Sequence, residues 1–367
     1  MELSRLNDQS GELLGASPML PVSLSCCPDQ IRYQVTHENT ALYVQNDATK
    51  KKTIWHLYRQ SDQLKLALAD SHSEQPEVTE LLAAVEAAFA HYPYQKKLSL
   101  SVPVDQFAEL LDSGIFIAED NQLSVYAELF WQQARIWHPL ARRQAFPIRY
   151  VFSHGRRHPL RPPKPRGTVY QRYITWLGRV LTFRTVDPAT DLGFFNCWMN
   201  DPVVAEFWQE TGDLAKHRAY LEGVQADPHV INLIGCLNDE PFGYFEIYWA
   251  KEDRIAPYYD VDDFDRGWHV LIGEPRMRGK PFVTAWLPSI SHYLFLDDDR
   301  TQRIVIEPRA DNHKMIRNLA QCGYANLKEF DFPHKRAMLG MLLRERFFTE
   351  QLWVPRATAS PYSVSLS

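Results

Sequence analysis

The sequence predicts an α/β protein built in two parts, and three observations carry that expectation. Short β-rich runs and helical runs succeed one another along most of the 367 residues. From Leu181 onward they follow one regular order. Between the two parts lies HGRRHPLRPPKPRG (154–167), whose four prolines and clustered Arg/Lys exclude helix and central strand. The expected organisation is an N-terminal α/β domain over 1–153, serving packing or dimerisation, and a connector over 154–180. A C-terminal domain with a mixed central sheet follows over 181–352, then a loose polar tail over 353–367.

In the first part IRYQVTH, ALYVQN and TIWHLYR alternate or are β-rich, as strands would be. EVTELLAAVEAAFAHY reads as an amphipathic helix with Leu81, Leu82, Val85 and Phe89 on one face. LSLSVP alternates again, VYAELFWQQARIW is ambiguous, and nothing here has catalytic spacing. In the second part LTFRTV is a strand, DLGFFNCWMN a helix stopped near Asn200-Asp201-Pro202, and DLAKHRAYLEGVQA a helix. HVINLIGCL and FGYFEIYWA form a hairpin around Asn238-Asp239. Then come the strand WHVLIG, a helix from about Pro281 to Leu296, the strand RIVIEP, a helix opening at Asn312 and a strand through LKEFDF. MLGMLLRERFF reads as a last strand or as a strand running into helix.

Composition narrows the function classes. A formal net charge of −5 lacks the footprint of a nucleic-acid binder. The start, MELSRLNDQSGELLG, has no basic-then-apolar signal, and no apolar run is long enough to span a membrane. Five cysteines without a C-x-x-C pattern fit reduced thiols and offer no metal frame. The expectation is a soluble cytoplasmic globular protein without a metal.

Chemistry concentrates in two segments. Arg276-Met277-Arg278-Gly279-Lys280-Pro281 follows a strand and opens a helix, where free backbone N–H groups meet phosphate. EPRADNHKMIRNLAQCGY (307–324) reads as a strand end, a short helix started by Asn312 and a stop at Gly323-Tyr324. With the element order β–α–α–β–β–β–α–β–α–β, these segments resemble the GNAT acyltransferase fold, its Arg/Gln-x-x-Gly-x-Gly/Ala loop and its Asn…Gly-aromatic helix. The N-terminal part would then be a smaller α/β domain, a degenerate GNAT-like half being one form of it. The resemblance implies acyl-CoA lying along the strand at Val270, Leu271 and Ile272, its phosphates near Arg276, Arg278, Gly279 and Lys280, and its thiol end near Asn312 and Leu319. Leu319 stands where such enzymes often carry the tyrosine that protonates the leaving thiolate, so no general acid is evident there. His269, on the strand before the loop, together with Asp311, would hold the acceptor and take its proton. Trp198, Asn200 and Trp208 on the first helices, and Glu246 and Tyr248 on one face of a strand, would line the acceptor pocket. Asp260, Asp262, Asp263 and Asp265 offer charges for a distal ammonium, although acidic loops are usually only solvated.

Longer motifs sharpen the resemblance. RPPKPRGTVYQRY, WMNDP, EFWQETG, PFGYFEIYWAKEDRI, DRGWHVLIGEPRMRG, RTQRIVIEPRADN and EFDFPHKRA, spread over 160–350, resemble the siderophore-biosynthesis acyltransferases. That implies transfer of an acetyl or succinyl group from acyl-CoA to the hydroxylamine nitrogen of an N-hydroxylated diamine or lysine, within a ternary complex. The product would feed a siderophore synthetase, and a homodimer is compatible with the N-terminal part. A GNAT enzyme acting on another amine, or a silent scaffold of that fold, is the competing reading.

Overall fold

The computed structural model describes residues 23–355 except 61, 70–75, 103–106, 120–121, 142–143 and 154. The chain start and residues 356–367 of the tail therefore lie outside the described residues.

The N-terminal half is one sheet of eight strands: β1 (Ser23–Cys26), β2 (Tyr33–Glu38), β3 (Ala41–Asn46), β4 (Lys52–Gln60), β5 (Gln63–Leu68), β6 (Lys97–Ser101), β7 (Phe116–Glu119) and β8 (Gln122–Tyr126). Their order is β1-β2-β3-β4-β5-β6-β8-β7. Helix α1 (Val78–His91) links β5 to β6, and α2 (Ala108–Asp112) links β6 to β7. The short helices α3 (Ala127–Phe130) and α4 (Ala134–Trp137) resolve the ambiguous aromatic stretch.

A detached hairpin, β9 (Tyr150–Ser153) and β10 (Arg156–Pro159), precedes the second sheet. That sheet holds β11 (Thr168–Ile174), β12 (Arg179–Thr185), β13 (Val230–Leu237), β14 (Glu240–Trp249), β15 (Arg266–Ile272), β16 (Arg303–Ile306), β17 (Ala325–Asp331) and β18 (Arg336–Leu343). Its order is β11-β12-β13-β14-β15-β16-β18-β17. Helices α5 (Pro188–Met199), α6 (Pro202–Trp208) and α7 (Leu214–Ala226) lie between β12 and β13, α8 (Lys280–Asp297) between β15 and β16, and α9 (His313–Gln321) between β16 and β17. Helix α10 (Arg344–Thr349) follows β18.

The two sheets repeat one plan. Each is antiparallel except between its fifth and sixth strands, β5/β6 and β15/β16, and each ends with its last two strands exchanged. The N-terminal half is therefore GNAT-like, with two differences. It has a tight turn between β2 and β3 where the C-terminal half has α5, α6 and α7. Its β5/β6 pair also runs over four residues, Leu64 to Ala67 against Leu98 to Ser101, whereas β15/β16 pairs over two.

Local sequence sets these elements. Asp187, Asp201, Asp213 and Asn312 each cap their helix by accepting from a first-turn N–H. The β13–β14 turn puts Asn238 and Asp239 at positive φ, 49° and 64°, which gives the expected hairpin its tight twist-matched turn.

Two expectations are corrected. Helix α1 is buried on every side from Thr79 to Phe89 rather than on one face. The N-terminal sheet covers one side of it, while Glu86 on another accepts from the Trp137 indole beyond that sheet. The segment 154–180 is not all connector, because β10, β11 and the first two residues of β12 fall within it. The strand-forming pattern resumes directly after Gly167, and the proline run alone stays irregular. Its cations hold the C-terminal half: Arg161 pairs with both oxygens of buried Glu252 at 2.6 and 2.5 Å, and Arg156 donates to the Asp253 carbonyl. One apolar core then runs without a break from Leu24 to Trp353 through both halves.

Gly323 ends α9 at φ +93°, and a Cβ there would stand 2.2 Å from Leu352 Cδ1. Gly323→Ala is expected to lower stability by about 1–3 kcal/mol, read as an earlier urea midpoint at unchanged slope.

Candidate active site

The site begins where the sheet comes apart. Strands β15 and β16 pair only at Arg266↔Ile304 and Gly267↔Val305. Glycine is required at 267, since a Cβ would meet the Tyr248 ring at 2.2 Å. Beyond Gly267, β15 continues in register with β14 to Ile272 while its other edge lies open. The Val270 carbonyl on that edge accepts from the Trp208 indole at 3.2 Å, and the Ile272 carbonyl accepts from Arg278 Nε at 2.9 Å. In an extended strand the N–H and C=O of one residue point the same way, so the Val270 and Ile272 amides also face the opening. The peptide groups of Leu271, between them, turn towards β14.

The opening leads into a cavity of about 870 Å³, walled by α6, α7, β13, β14, β15, the β16–α9 turn and the β17–β18 turn. Trp208, Glu246, Tyr248, His269, Val270, Asp311, Asn312 and Leu319 all line it. At its centre His269 is held between two carboxylates. Its Nε2 lies 2.7 Å from Glu307 Oε1 and its Nδ1 lies 3.4 Å from Glu246 Oε2. The Glu307 side chain is 0% exposed; it also accepts from the Tyr248 hydroxyl at 2.7 Å and from Arg254 Nη2 at 3.3 Å. Lys335 donates to the Glu307 backbone carbonyl at 2.7 Å. Glu246 accepts from Tyr220 at 2.7 Å and from Tyr244 at 2.8 Å.

Electrostatics follow from this arrangement. Burial pushes the His269 pKa down, but Glu307 and Glu246 outweigh it and hold the imidazole up at about 9. Burial likewise raises Glu307, yet His269, Lys335 and Arg254 bring its carboxyl far below the usual range. Burial and Glu246 both push the Tyr220 hydroxyl up. At neutral pH the centre is an imidazolium between two carboxylates, so His269 is not a free base.

Several sequence expectations are corrected by these positions. No His269–Asp311 pair forms; Glu307 takes that place. Asp311 is 62% exposed at the rim and paired with Arg309 at 3.0 and 2.5 Å, which holds its carboxyl below its ordinary value. Trp198 packs beneath Gly273, 2.0 Å from where a Cβ would be, and is not in the cavity. Asn200 exchanges hydrogen bonds with the Gly212 backbone and closes the α6–α7 loop. Asp263 and Asp265 bind Tyr150 and Arg303 respectively, and the acidic loop stays outside the cavity.

The phosphate-type loop lies at the far end of the open edge. Gly279 starts α8 at φ +115°, a conformation that favours glycine, and Lys280 is the exposed first residue of the helix. Arg276 is 74% exposed and binds Glu274 and Glu240. Arg278 is turned inward; besides the Ile272 carbonyl it binds that of Gly273 and pairs with Asp201 at 3.3 Å. Among the described residues no group of three or more His, Cys, Asp or Glu is placed to ligate a metal, and no helix is long and apolar enough to cross a membrane.

Sequence reasoning missed Glu307, Arg254, Tyr220 and Tyr244. A signal for Glu307 existed: alternation along RIVIEP puts it on one face with Val305, which packs beside Tyr248.

Residues 187–332 match the family model of the acetyltransferase (GNAT) domain. The chain is 42% identical over 255 residues to a putative lysine N-acyltransferase of Schizosaccharomyces pombe, covering 69% of this chain and 73% of that one. It is 50% identical over 192 residues to the N(6)-hydroxylysine O-acetyltransferase of Escherichia coli, covering 52% and 61%. The chain belongs to the siderophore-biosynthesis acyltransferases of the GNAT type. A third member, the N(5)-hydroxyornithine:cis-anhydromevalonyl coenzyme A-N(5)-transacylase of Beauveria bassiana, is 45% identical over 195 residues, covering 52% and 43%. The chain thus spans less than two thirds of the Escherichia coli and Beauveria relatives, and the GNAT model falls within its C-terminal half.

For this family member the imidazole should titrate near pH 9 in an NMR histidine titration. Glu307→Gln should bring the midpoint down by at least about one unit. Because the folded pKa is raised, the stability gained from this ion pair is complete below about pH 6.5 and is lost as pH rises through about 9. The urea midpoint of the wild type should therefore fall more between pH 7 and 10 than that of Glu307→Gln.

Proposed function

We propose that this chain is an acyl-CoA-dependent N-acyltransferase acting on the hydroxylamine nitrogen of an N-hydroxylated amine to form a hydroxamate. One observation carries the reading: the central histidine lies between two carboxylates, 2.7 Å from Glu307 and 3.4 Å from Glu246, an arrangement that favours its charged form and offers no free base to an ammonium substrate. A hydroxylamine nitrogen is already largely unprotonated near neutrality and needs none. Two of the relatives are named for hydroxylysine and for hydroxyornithine, the second with a coenzyme A ester, which supports the same class.

Acyl-CoA enters along the open edge of β15, with its phosphates at the start of α8 by Gly279 and Lys280. The Val270 amide polarises the thioester carbonyl. Glu246 and Glu307, braced by Tyr220, Tyr244 and Tyr248, orient the N–OH group, and the Arg309–Asp311 pair borders the entrance. The nitrogen lone pair attacks the carbonyl carbon; a C–N bond forms, the C–S bond breaks and the electron pair leaves on sulfur. The nitrogen loses its proton to solvent at the rim, and the thiolate needs no acid because thiols are acidic enough near neutrality. Leu319 in the cavity wall is in keeping with that exit. Positioning in the ternary complex supplies most of the acceleration. The acyl group is acetyl or succinyl, the acceptor a hydroxylated lysine or diamine, and the hydroxamate goes on to a ligating synthetase.

The reading is tested by mixing the purified chain with acetyl- or succinyl-CoA and either N6-hydroxylysine or N-hydroxycadaverine, with products identified by mass. At least one pair should give a hydroxamate. His269→Ala and Glu307→Gln should each cut kcat at least about tenfold while CoA affinity changes less than threefold. Absence of hydroxamate from every pair overturns the proposal.

A further inference from the structure

Among the cations lining the cavity, most already have a dedicated partner. Arg309 is engaged in two hydrogen bonds by Asp311, Arg336 pairs with Glu329, and the Lys335 ammonium donates to the Glu307 carbonyl. Arg254 is the exception. Its Nη2 makes both of its polar contacts, 3.3 Å to Glu307 Oε1 and 3.5 Å to His269 Nε2. That Glu307 oxygen is already held at 2.7 Å by His269. Among the described residues neither Nη1 nor Nε of Arg254 has a hydrogen-bond partner, and its side chain is 49% exposed.

The guanidinium is nonetheless fixed in place. It lies 5.6 Å from the Phe332 ring centre, and the same buried ring carries Lys335 Nζ at 5.4 Å and the stacked His334 imidazole at 5.4 Å. From the other side, the loop bearing Arg254 is tied down by Arg156 through the Asp253 carbonyl and by Arg161 through Glu252. A planar fork with two unused donors, propped on an aromatic face beside a second cation, suits a carboxylate held in two hydrogen bonds.

We infer that Arg254, with Lys335 beside it on Phe332, forms a subsite for a substrate carboxylate next to the reacting centre. The inference rests on the N-acyltransfer reading above and specifies one of its substrates. Two sources present this chemistry, an amino-acid acceptor with its free carboxylate and a dicarboxylic acyl donor with its distal one. The subsite predicts that the productive pair carries a carboxylate in at least one partner, whereas acetyl-CoA with a bare N-hydroxydiamine is the poorest combination.

Binding and turnover are measured separately on the full chain. Calorimetry compares N6-hydroxylysine with N-hydroxycadaverine, and succinyl-CoA with acetyl-CoA, on wild type, Arg254→Ala and Arg254→Lys. Turnover is measured for the four donor–acceptor pairs. In wild type the carboxylate-bearing member of one comparison should bind more tightly. Arg254→Ala should remove that advantage, raising its KM by about ten- to hundredfold, the range expected for a lost charge-assisted hydrogen bond. Arg254→Lys should restore part of it. A loss that follows N6-hydroxylysine over N-hydroxycadaverine places the acceptor's carboxylate here; one that follows succinyl over acetyl places the donor's. An equal penalty on all four pairs, or no carboxylate preference in wild type, overturns the subsite and leaves Arg254 as a support for Glu307. Retained carboxylate preference without hydroxamate from any pair overturns the acyl-transfer reading and leaves the subsite standing.

Discussion

Everything at this site depends on two parallel strands parting after two residues. Had β15 and β16 stayed paired, the amides of Val270 and Ile272 would be spent on the ladder and no cavity would open between them. The molecule contains its own contrast. The matching strands β5 and β6 hold four residues in register, and the N-terminal half has no counterpart of α6 and α7, the helices that wall the cavity in the C-terminal half. The same plan is thus a closed sheet in one half and an open one in the other. The difference is backbone pairing before it is side-chain chemistry.

The parted strands leave room for charge, and the charge must be paired because the site is half-buried. Glu307 follows β16 just past the divergence, where its carboxylate meets His269, Tyr248 and Arg254 together. Removing one member would strand the others in a poorly solvated place, which is costly. The proline-rich strap takes part although it lies outside the cavity. By fixing Glu252 and the Asp253 carbonyl it sets the loop that places Arg254. The strap's basic residues therefore serve anchoring, and the phosphate-type loop at Gly279 stands elsewhere.

Much of this was legible in the sequence. Helix caps such as Asp201 and Asn312 and the Asn238-Asp239 turn are local signals, and local signals read well. Trp208, Glu246, Tyr248, His269, Asn312 and Leu319, which the family resemblance assigned to the acceptor, catalytic and acyl-CoA positions, all line the cavity. What escaped was partnership between distant segments. Whether His269 meets Asp311 or Glu307 turns on the path of the chain after β16, which no spacing rule fixes. Trp198 and Asn200 failed for a similar reason: a helix shows which residues are large or polar, but not which of them meets Gly273 or the Gly212 backbone. The burial of α1 on all sides depends on segments distant along the chain, such as the one that carries Trp137, which its own periodicity cannot report.

The charge balance of the centre bears on which nucleophile it admits. His269, Arg254 and Lys335 bring three positive charges against two from Glu246 and Glu307. An ammonium brought to the imidazolium would meet like charge in a poorly solvated space, and it would have to lose a proton where both nearby carboxylates are held below their usual range. A neutral hydroxylamine avoids both costs, and its hydroxyl supplies a donor that the carboxylates can accept. A carboxylate at Arg254 would bring the count to balance, whichever substrate carried it. In the proposed reaction these electrostatics would disfavour the ordinary amine by repulsion and favour the hydroxylated one by hydrogen bonding.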